Sequence, residues 1–350
     1  ASGKADLIGM ARAFIADPAY GLKIQEGRGE DIVPCIRCEK CHGTMSGPWI
    51  SFCSVNPKMG IEHKLHRMVP GPASAKKAAV IGGGPAGMEA AITAAERGHK
   101  VMLYEKSDHL GGQLIHAEYV SFKWPLRKYR NYMITQMYKL GVKVILNTQA
   151  TPQLIEEEGF DSVLAATGAE PNLPDIPGIN GENVWTCMNL FGNEKKLGKK
   201  VAVIGGSQMG VEIGMHLAET GHSVTVLTRQ NRLASDASPL HSITMAYITV
   251  LDDGSELFEA AWERLDNFSY ILNATTAGIS EEKVTYRDPE GNLHDVETES
   301  VVICGGMNPR QDEALKFYGS AKSFALIGDC DSVGNIQRAV RSAYGAASQL

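Results

Sequence analysis

Two strand–turn–helix units with glycine-rich turns constrain this chain more than any other feature of its sequence. In the first unit, the apolar segment Ala78–Ile81 leads directly into Gly82, Gly84 and Gly87. The first glycine permits a tight turn, the second leaves room for a pyrophosphate, and the third lets the following helix pack closely on the strand. The N-terminus of that helix presents free backbone N–H groups to the phosphates. The pattern predicts a Rossmann-like unit that binds a dinucleotide.

A carboxylate at a suitable distance strengthens this prediction. The next strand, Val101–Tyr104, is followed by Glu105, and an acid at this point accepts hydrogen bonds from ribose hydroxyls. Pro85 and Ala86 in the turn and Lys106 after the acid are further candidate contacts of the same dinucleotide. Strand, turn, helix, strand and acid in this order are far more specific than a glycine motif alone.

A second unit repeats the arrangement with two differences that affect its ligand. An apolar strand leads into Gly205 and Gly210, but Ser207 replaces the middle glycine and crowds the dinucleotide, so we expect looser binding. The ribose-binding acid is missing, and Arg229 and Arg232 follow the second strand instead. A guanidinium pairs well with the 2′-phosphate of NADPH, which favours NADPH over NADH. The alternative is that both arginines are solvated loop residues.

Four of the seven cysteines are close together upstream of these units: Cys35, Cys38, Cys41 and Cys53. Clustered cysteines in a cytosolic protein favour metal binding over disulfides. Zinc usually takes its ligands as two separated pairs, whereas cysteines spaced two residues apart are typical of a loop around a [4Fe–4S] cluster. The sequence therefore favours an iron–sulfur cluster, with zinc or unligated thiols as the alternatives.

Charge and hydropathy exclude several classes of partner. The chain has 34 basic and 40 acidic side chains, a formal net charge of −6, and no basic tract that would suit a nucleic acid. No run approaches the roughly 18 apolar residues that a membrane span needs. The N-terminal segment has no initiating Met and does not resemble a signal peptide, so we expect a processed chain or a fragment. Cysteine usage indicates a cytoplasmic location, and a homo-oligomer stays open.

The two units together resemble the glutathione-reductase-like flavoproteins. Ala166–Gly168 resembles the element at which the chain passes between the two domains of that family, and Phe324–Asp329 resembles its closing strand. The resemblance implies that the first unit holds FAD and that the second binds NAD(P)H. The further FAD contacts that it implies are Thr167, Gly168, Asp329, Gln337 and Ala339.

A closer resemblance covers essentially the whole chain. Asp6–Pro18, the cysteine loop and the order of the domains resemble the 2,4-dienoyl-CoA reductase and enoate reductase family, to which trimethylamine dehydrogenase is related. Gly111–Leu114 is similar to the GGQ element that this family places near FAD, which adds Gly112 and Gln113 to the candidate contacts. The family places an Old Yellow Enzyme-like FMN barrel before the iron–sulfur segment.

The expected fold class is α/β, with two Rossmann-like domains preceded by an iron–sulfur loop segment and by the last strand–helix unit of a truncated TIM barrel. The resemblance implies that Ala5–Met10 is that strand and that Arg12 contacts the FMN phosphate, with a surface cation on a helix as the alternative. The expected domains are the barrel end at 1–33, the iron–sulfur segment at 34–75, an FAD domain at 76–185 and 305–350, and an NAD(P) domain at 186–304.

The resemblance implies that electrons pass from NAD(P)H through FAD and the [4Fe–4S] cluster to FMN, for reduction of a small α,β-unsaturated carbonyl compound such as an enoate or a dienoyl-CoA. No CxxC lies outside the cysteine loop, so we do not expect thiol exchange. Catalytic residues are expected in the barrel. Three alternatives stay open: an amine dehydrogenase with the opposite electron flow, a stand-alone NAD(P)H:acceptor subunit, and a non-enzymatic nucleotide- or zinc-binding scaffold.

Overall fold

The computed structural model describes residues 5–42, 52–69, 74–237, 247–250 and 256–350. The chain forms two compact units, of which unit 1 comprises the described residues of 1–118, 123–169 and 309–350. Unit 2 comprises those of 119–122 and 170–308. The limits of these units differ from the expected domain limits at 185 and 305, and the assignment of one cofactor to each domain stays a prediction.

Strands and helices alternate through most of the described residues. In chain order the strands are β1 (Lys77–Ile81), β2 (Lys100–Tyr104), β3 (Lys143–Ile145), β4 (Ser162–Ala165), β5 (Ala169–Pro171), β6 (Val184–Thr186), β7 (Lys200–Ile204), β8 (Ser223–Leu227), β9 (Tyr247–Val250), β10 (Glu256–Glu259), β11 (Phe268–Ile271), β12 (Thr275–Ile279), β13 (Lys283–Arg287), β14 (Leu293–Glu297), β15 (Ser300–Ile303), β16 (Met307–Pro309) and β17 (Ser323–Leu326). The α-helices are α1 (Arg12–Ala16), α2 (Tyr20–Gln25), α3 (Leu65–Met68), α4 (Pro85–Glu96), α5 (Leu114–Ala117), α6 (Pro125–Lys139), α7 (Pro152–Glu158), α8 (Gln208–Glu219), α9 (Gln311–Leu315) and α10 (Ile336–Ala347).

A five-stranded parallel sheet with the order β17-β4-β1-β2-β3 forms the centre of unit 1. The apolar residues Ala78–Ile81 of β1 are all buried, as is typical of a parallel strand covered on both faces. Helix α4 contacts both α6 and α10, and its small residues Ala90, Ala91 and Ala94 are completely buried. The strand order reverses between β1 and β4, which makes this the switch point at which ligands of such sheets bind.

Unit 2 contains a second parallel sheet of the same kind, with the order β11-β8-β7-β15-β6. Its switch point lies between β7 and β15. A three-stranded antiparallel sheet, β12-β13-β14, belongs to the same unit, and its first pairing shifts register between Thr276 and Gly278. The expected fold class, with two glutathione-reductase-like Rossmann units, is confirmed by these sheets.

The N-terminal segment differs from the expectation. Ala5–Met10 forms no strand, and Leu7 and Ile8 are 92% and 75% exposed. A strand needs a neighbouring strand to take up its backbone hydrogen bonds, and the structure describes none beside this segment. Helix α1 follows directly. The predicted last strand of a barrel is therefore not formed by the described residues 5–10.

Candidate cofactor sites

The turn after β1 has the close backbone packing that its glycines predict. A Cβ atom on Gly87 would lie 1.8 Å from the carbonyl oxygen of Gly82, so α4 packs directly against the turn. A Cβ atom on Gly82 would lie 2.3 Å from the carbonyl oxygen of Ala166, which follows β4. The turn therefore lies at the switch point of the first sheet, with Pro85 in the first turn of α4.

Glu105 lies beside this turn, as predicted from its position after β2. Its carboxylate accepts hydrogen bonds from the backbone N–H of Gly83 at 2.6 Å and of Ser107 at 2.8 Å, and the residue is 9% exposed. Lys106, the next residue, is exposed. The acid is thus held in one orientation next to the dinucleotide turn before any ribose binds.

Two other segments bring predicted FAD contacts to the same edge of the sheet. A Cβ atom on Gly112 would lie 2.8 Å from the Cα atom of Gly84, so the GGQ element touches the turn. The Gln113 side-chain amide donates to the carbonyl oxygen of Ala169 at 3.2 Å. The Thr167 hydroxyl donates to a backbone carbonyl oxygen at 3.1 Å, and Gly168 follows it with a φ of 75°.

The closing strand β17 also ends at this edge. A Cβ atom on Gly328 would lie 2.6 Å from the Cβ atom of Ala86, which places Asp329 next to the start of α4. Burial raises the pKa of Asp329, although its carboxylate accepts a hydrogen bond from the Gly334 N–H at 3.1 Å. Helix α10 begins just beyond, with Gln337 and the buried Ala339 in its first turn. The contacts of all these residues with FAD stay a prediction.

The turn after β7 repeats the geometry of the first. A Cβ atom on Gly210 would lie 1.8 Å from the carbonyl oxygen of Gly205, and one on Gly205 would lie 2.2 Å from that of Cys304. Ser207 precedes α8 as its N-cap, and its side chain makes no capping hydrogen bond. The second turn therefore lies at the switch point of the second sheet.

Thr228 takes the place in unit 2 that Glu105 takes in unit 1. A Cβ atom on Gly206 would lie 2.7 Å from the Cβ atom of Thr228, just as one on Gly83 would lie 3.1 Å from the Glu105 carboxylate. Arg229 and Arg232 follow Thr228 and are exposed, and Arg232 donates to the carbonyl oxygen of a loop residue at 3.2 Å. Because Thr228 occupies this position, it holds no carboxylate that would repel a 2′-phosphate.

An acid that the sequence analysis missed lies at the start of α8. The Asp236 carboxylate accepts a hydrogen bond from the backbone N–H of Gln208 at 2.7 Å. Free N–H groups at this helix terminus are the ones that a dinucleotide pyrophosphate uses. A pyrophosphate bound at this terminus would compete with Asp236 for the same donor.

The cysteine loop has an unusual backbone. Arg37 and Glu39, on either side of Cys38, have left-handed φ angles of 56° and 57°. The Arg37 N–H donates to the Cys35 sulfur at 3.5 Å, and a hydrogen bond of 3.1 Å joins the Cys38 sulfur to the Ser54 hydroxyl. Strained conformations of non-glycine residues cluster at functional sites.

Each of the four predicted cysteine ligands is within electrostatic reach of others in the set. Burial, followed by the charges of Cys38 and Cys35, raises the pKa of Cys41. Burial is also the main cause that raises the pKa of Cys53 to about 11, and Cys38 and Cys35 again contribute. Within the described ranges, no group of three or more Cys, His, Asp and Glu side chains is arranged so that it could hold a single metal ion.

A cavity of about 770 Å³ lies beside this loop within unit 1, and Arg12 and Cys35 both line it. Trp124 in its wall is flanked by two cations, with Arg37 at 5.0 Å and Lys128 at 4.8 Å from the ring centroid. The Arg12 guanidinium forms an ion pair with Glu39 of the cysteine loop. Arg12 thus lines this cavity with a side chain that is 42% exposed, and its contact with FMN stays a prediction.

These sites define the class of the protein. A family model described as pyridine nucleotide-disulphide oxidoreductase matches residues 76–318, and the chain belongs to this family. The family supports binding of a flavin and of NAD(P)H, and it identifies the chain as part of an oxidoreductase. Within the described part of the chain, no helix has the length and apolar character needed to cross a membrane.

Comparisons over the whole chain give a more specific relationship. The chain is 34% identical to an NADH oxidase of Thermoanaerobacter brockii and 31% identical to a cinnamate reductase of Clostridium sporogenes, and both matches cover 100% of it. It is also similar to the solved structure of a 2-naphthoyl-CoA reductase in complex with 2-naphthoyl-CoA, with a TM-score of 0.89, 31% identity and coverage of 99% of this chain and 51% of that one. These matches confirm the resemblance to the 2,4-dienoyl-CoA reductase and enoate reductase family. The chain spans about half the length of the curated relatives it matches, namely 52% and 50%.

Proposed function

We propose that this chain is the electron-input part of an NAD(P)H-dependent iron–sulfur flavoenzyme. Electrons would pass from NAD(P)H to FAD, then to a [4Fe–4S] cluster, and finally to FMN in a barrel, where an enoate or an enoyl-CoA type of substrate is reduced. The observation that carries this proposal is a pair of equivalent glycine-rich turns, one in each unit, together with a cysteine quartet in unit 1. The similarity to a cinnamate reductase and a 2-naphthoyl-CoA reductase supports this substrate class.

The residues of unit 1 are suited to hold FAD in a fixed position. The first turn of α4 offers backbone N–H groups to the pyrophosphate, and Glu105 accepts hydrogen bonds from the ribose. Asp329 follows the closing strand and Gln337 lies in the first turn of α10, so both are candidate contacts of the FAD. Bound FAD accepts a hydride and releases electrons, while the protein positions it and sets its electrostatic surroundings.

The residues of unit 2 are suited to a nicotinamide dinucleotide that exchanges, and they favour NADPH. Thr228 leaves the 2′ position of a ribose without a carboxylate, and the exposed Arg229 and Arg232 offer positive charge to a 2′-phosphate. Asp236 must leave the N-terminus of α8 when the pyrophosphate binds. One relative is named an NADH oxidase, so the two nucleotides have to be compared directly.

The cysteine quartet fits an iron–sulfur cluster held by Cys35, Cys38, Cys41 and Cys53. The fit rests on the electrostatic interactions among the thiols and on the Arg37 N–H, which donates to the Cys35 sulfur. It also rests on the buried Tyr129 hydroxyl, which has no partner among the described residues. A bound cluster would carry one electron at a time between the flavins. Zinc and unligated thiols are the outcomes that metal analysis would distinguish from it.

A metal and flavin analysis with matched cysteine variants tests the proposal. The chain purified without oxygen should contain FAD, iron and acid-labile sulfide, and NADPH should bleach its flavin absorbance near 450 nm. Cys53→Ser should lose the iron and keep the flavin. Cys187→Ser, the control, changes a cysteine that is equally buried but lies in the core of unit 2, and it should lose neither.

Several outcomes would contradict the proposal. Zinc in place of iron, together with no flavin, would favour a binding scaffold. A flavin that NAD(P)H does not reduce would favour the opposite electron flow, as in an amine dehydrogenase. A flavin and a cluster that are both reduced, in a protein whose gene encodes no barrel, would favour a stand-alone NAD(P)H:acceptor subunit. A cytoplasmic location and a homo-oligomer stay predictions.

A further inference from the structure

We infer that the Tyr129 hydroxyl donates a hydrogen bond to a sulfur of the iron–sulfur cluster on its Cys53 side and thereby raises the reduction potential of the cluster. The inference rests on the proposed function, because it requires that the cysteine quartet holds a cluster. It concerns a residue of α6 that is far from the cysteines in the sequence and belongs to no nucleotide motif.

The first observation is a buried hydroxyl without a partner. Tyr129 is 1% exposed, and its hydroxyl makes no hydrogen bond with any residue that the structure describes. Buried tyrosine hydroxyls normally have a partner, because leaving such a group unpaired costs about 1–3 kcal/mol. A group that the described residues do not provide is therefore expected beside this hydroxyl.

The second observation is the position of α6 beside the cysteines. One face of the helix, including Lys128 and Tyr132, lines the cavity that also contains Cys35. The adjacent face carries Tyr129 into the same hydrophobic core as Cys53. Tyr129 and the buried ligand of the quartet thus belong to one core, and the two groups interact electrostatically.

The charges around Tyr129 agree with this position. Burial raises the pKa of Tyr129 well above its usual value, and electrostatic interactions with Glu89, Tyr132 and Cys53 add to the effect. The hydroxyl therefore stays protonated and remains a donor. A donor near an electron carrier stabilises the additional negative charge of the reduced form, so its removal lowers the potential.

Glu89 is the competing acceptor within the protein. Its carboxyl lies on α4, and its pKa is raised to about 7, mainly by burial and then by the charge of Glu96. Its hydrogen bond is with the Thr93 hydroxyl, at 3.3 Å, and not with Tyr129. If Tyr129 acted through Glu89, changing either residue would alter the reduction potential of the cluster equally.

The test is a redox titration of the purified full chain followed by electron paramagnetic resonance. Tyr129→Phe should lower the equilibrium constant for reduction of the cluster about tenfold, which is 59 mV for one electron. It should also abolish one exchangeable-proton coupling that is seen for the wild-type cluster in electron–nuclear double resonance after transfer to D₂O. Tyr132→Phe is the matched control, because it removes a hydroxyl from the same helix in a ring that stacks on Tyr129 at 6.4 Å, and it should change neither.

Two results would overturn the inference. The first is an intact cluster in Tyr129→Phe with an unchanged potential and an unchanged proton coupling. The second is Glu89→Gln producing the same change in potential as Tyr129→Phe, since the hydroxyl would then act through Glu89. A wild-type chain without iron would instead refute the proposed function, so the two failures are distinguishable.

Discussion

Exchanging the third glycine of each turn for alanine should separate the two nucleotide sites. In both turns the added Cβ atom would lie 1.8 Å from a carbonyl oxygen, that of Gly82 for Gly87→Ala and that of Gly205 for Gly210→Ala. Because the two clashes are equal, each variant applies the same perturbation to a different unit. We expect Gly87→Ala to release the flavin, and Gly210→Ala to retain the flavin while losing its reduction by NAD(P)H.

The size of the effect follows from the geometry. A Cβ atom essentially never lies closer than 3.0 Å to such an oxygen, so the helix must move by at least 1.2 Å (3.0 − 1.8). Overpacking of this kind costs about 1–3 kcal/mol, and each 1.4 kcal/mol is about tenfold in affinity. A displacement of about 1 Å at a binding site costs on the order of 100-fold in rate. We therefore expect nucleotide affinity to fall about 10–100-fold in the affected unit.

The assay combines flavin content, measured after gel filtration, with the rate of anaerobic bleaching by NADPH. Gly345→Ala is the control, because Gly345 is in α10 with no atom within 4 Å of an added Cβ atom. That variant should keep both activities and gain about 0.8–1 kcal/mol in stability from the helix propensity of alanine. The reasoning is refuted if Gly87→Ala retains its flavin like Gly345→Ala, or if Gly210→Ala is reduced at the wild-type rate.

Three further predictions concern charge. Replacing Arg229 and Arg232 by alanine should raise the KM for NADPH at least tenfold and leave that for NADH unchanged; equal changes for both nucleotides would refute a contact with the 2′-phosphate. Asp236→Asn should lower the KM for both nucleotides several-fold in steady-state assays, because a neutral side chain competes less with a pyrophosphate for the Gln208 N–H. An unchanged KM would mean that Asp236 and the pyrophosphate do not compete. The pKa of Glu89 is raised to about 7, above the value of 4.5 for an exposed carboxyl, so this group ionises at lower pH in the unfolded chain than in the folded one. The free energy of unfolding should therefore fall by at most about 3 kcal/mol between pH 4.5 and 7. Urea unfolding should show that Glu89→Gln removes this fall, and identical pH profiles for the variant and the wild type would contradict the shifted pKa.

Local patterns predicted most of the geometry of the two glycine-rich turns. The strands that precede both turns are short apolar runs, and the first begins at Lys77, one residue before its predicted start at Ala78. The glycine spacing fixed the packing of each helix, and the position of Glu105 followed from the length of β2. These features depend on residues that are near one another in the sequence, so a single chain reveals them.

Contacts between distant residues were not predictable in the same way. Asp236 is 28 residues from its partner Gln208, and nothing in the intervening sequence indicates that they meet. Tyr129 is one of several aromatic residues in a basic helix, and only the fold makes it the buried one. The expected strand at Ala5–Met10 did not form, because strand formation depends on a neighbour that sequence periodicity cannot provide.

The equivalence of the two turns has a consequence for how such a protein can diversify. The backbone approaches that fix each turn, at Gly82 with Gly87 and at Gly205 with Gly210, are the same in both halves. The residue that we propose to contact the ribose follows the next strand and differs between the halves, Glu105 in one and Thr228 in the other. Architecture and ligand choice are therefore encoded at separate positions, so one half can change its nucleotide by a few substitutions after a strand while its helix packing is inherited unchanged.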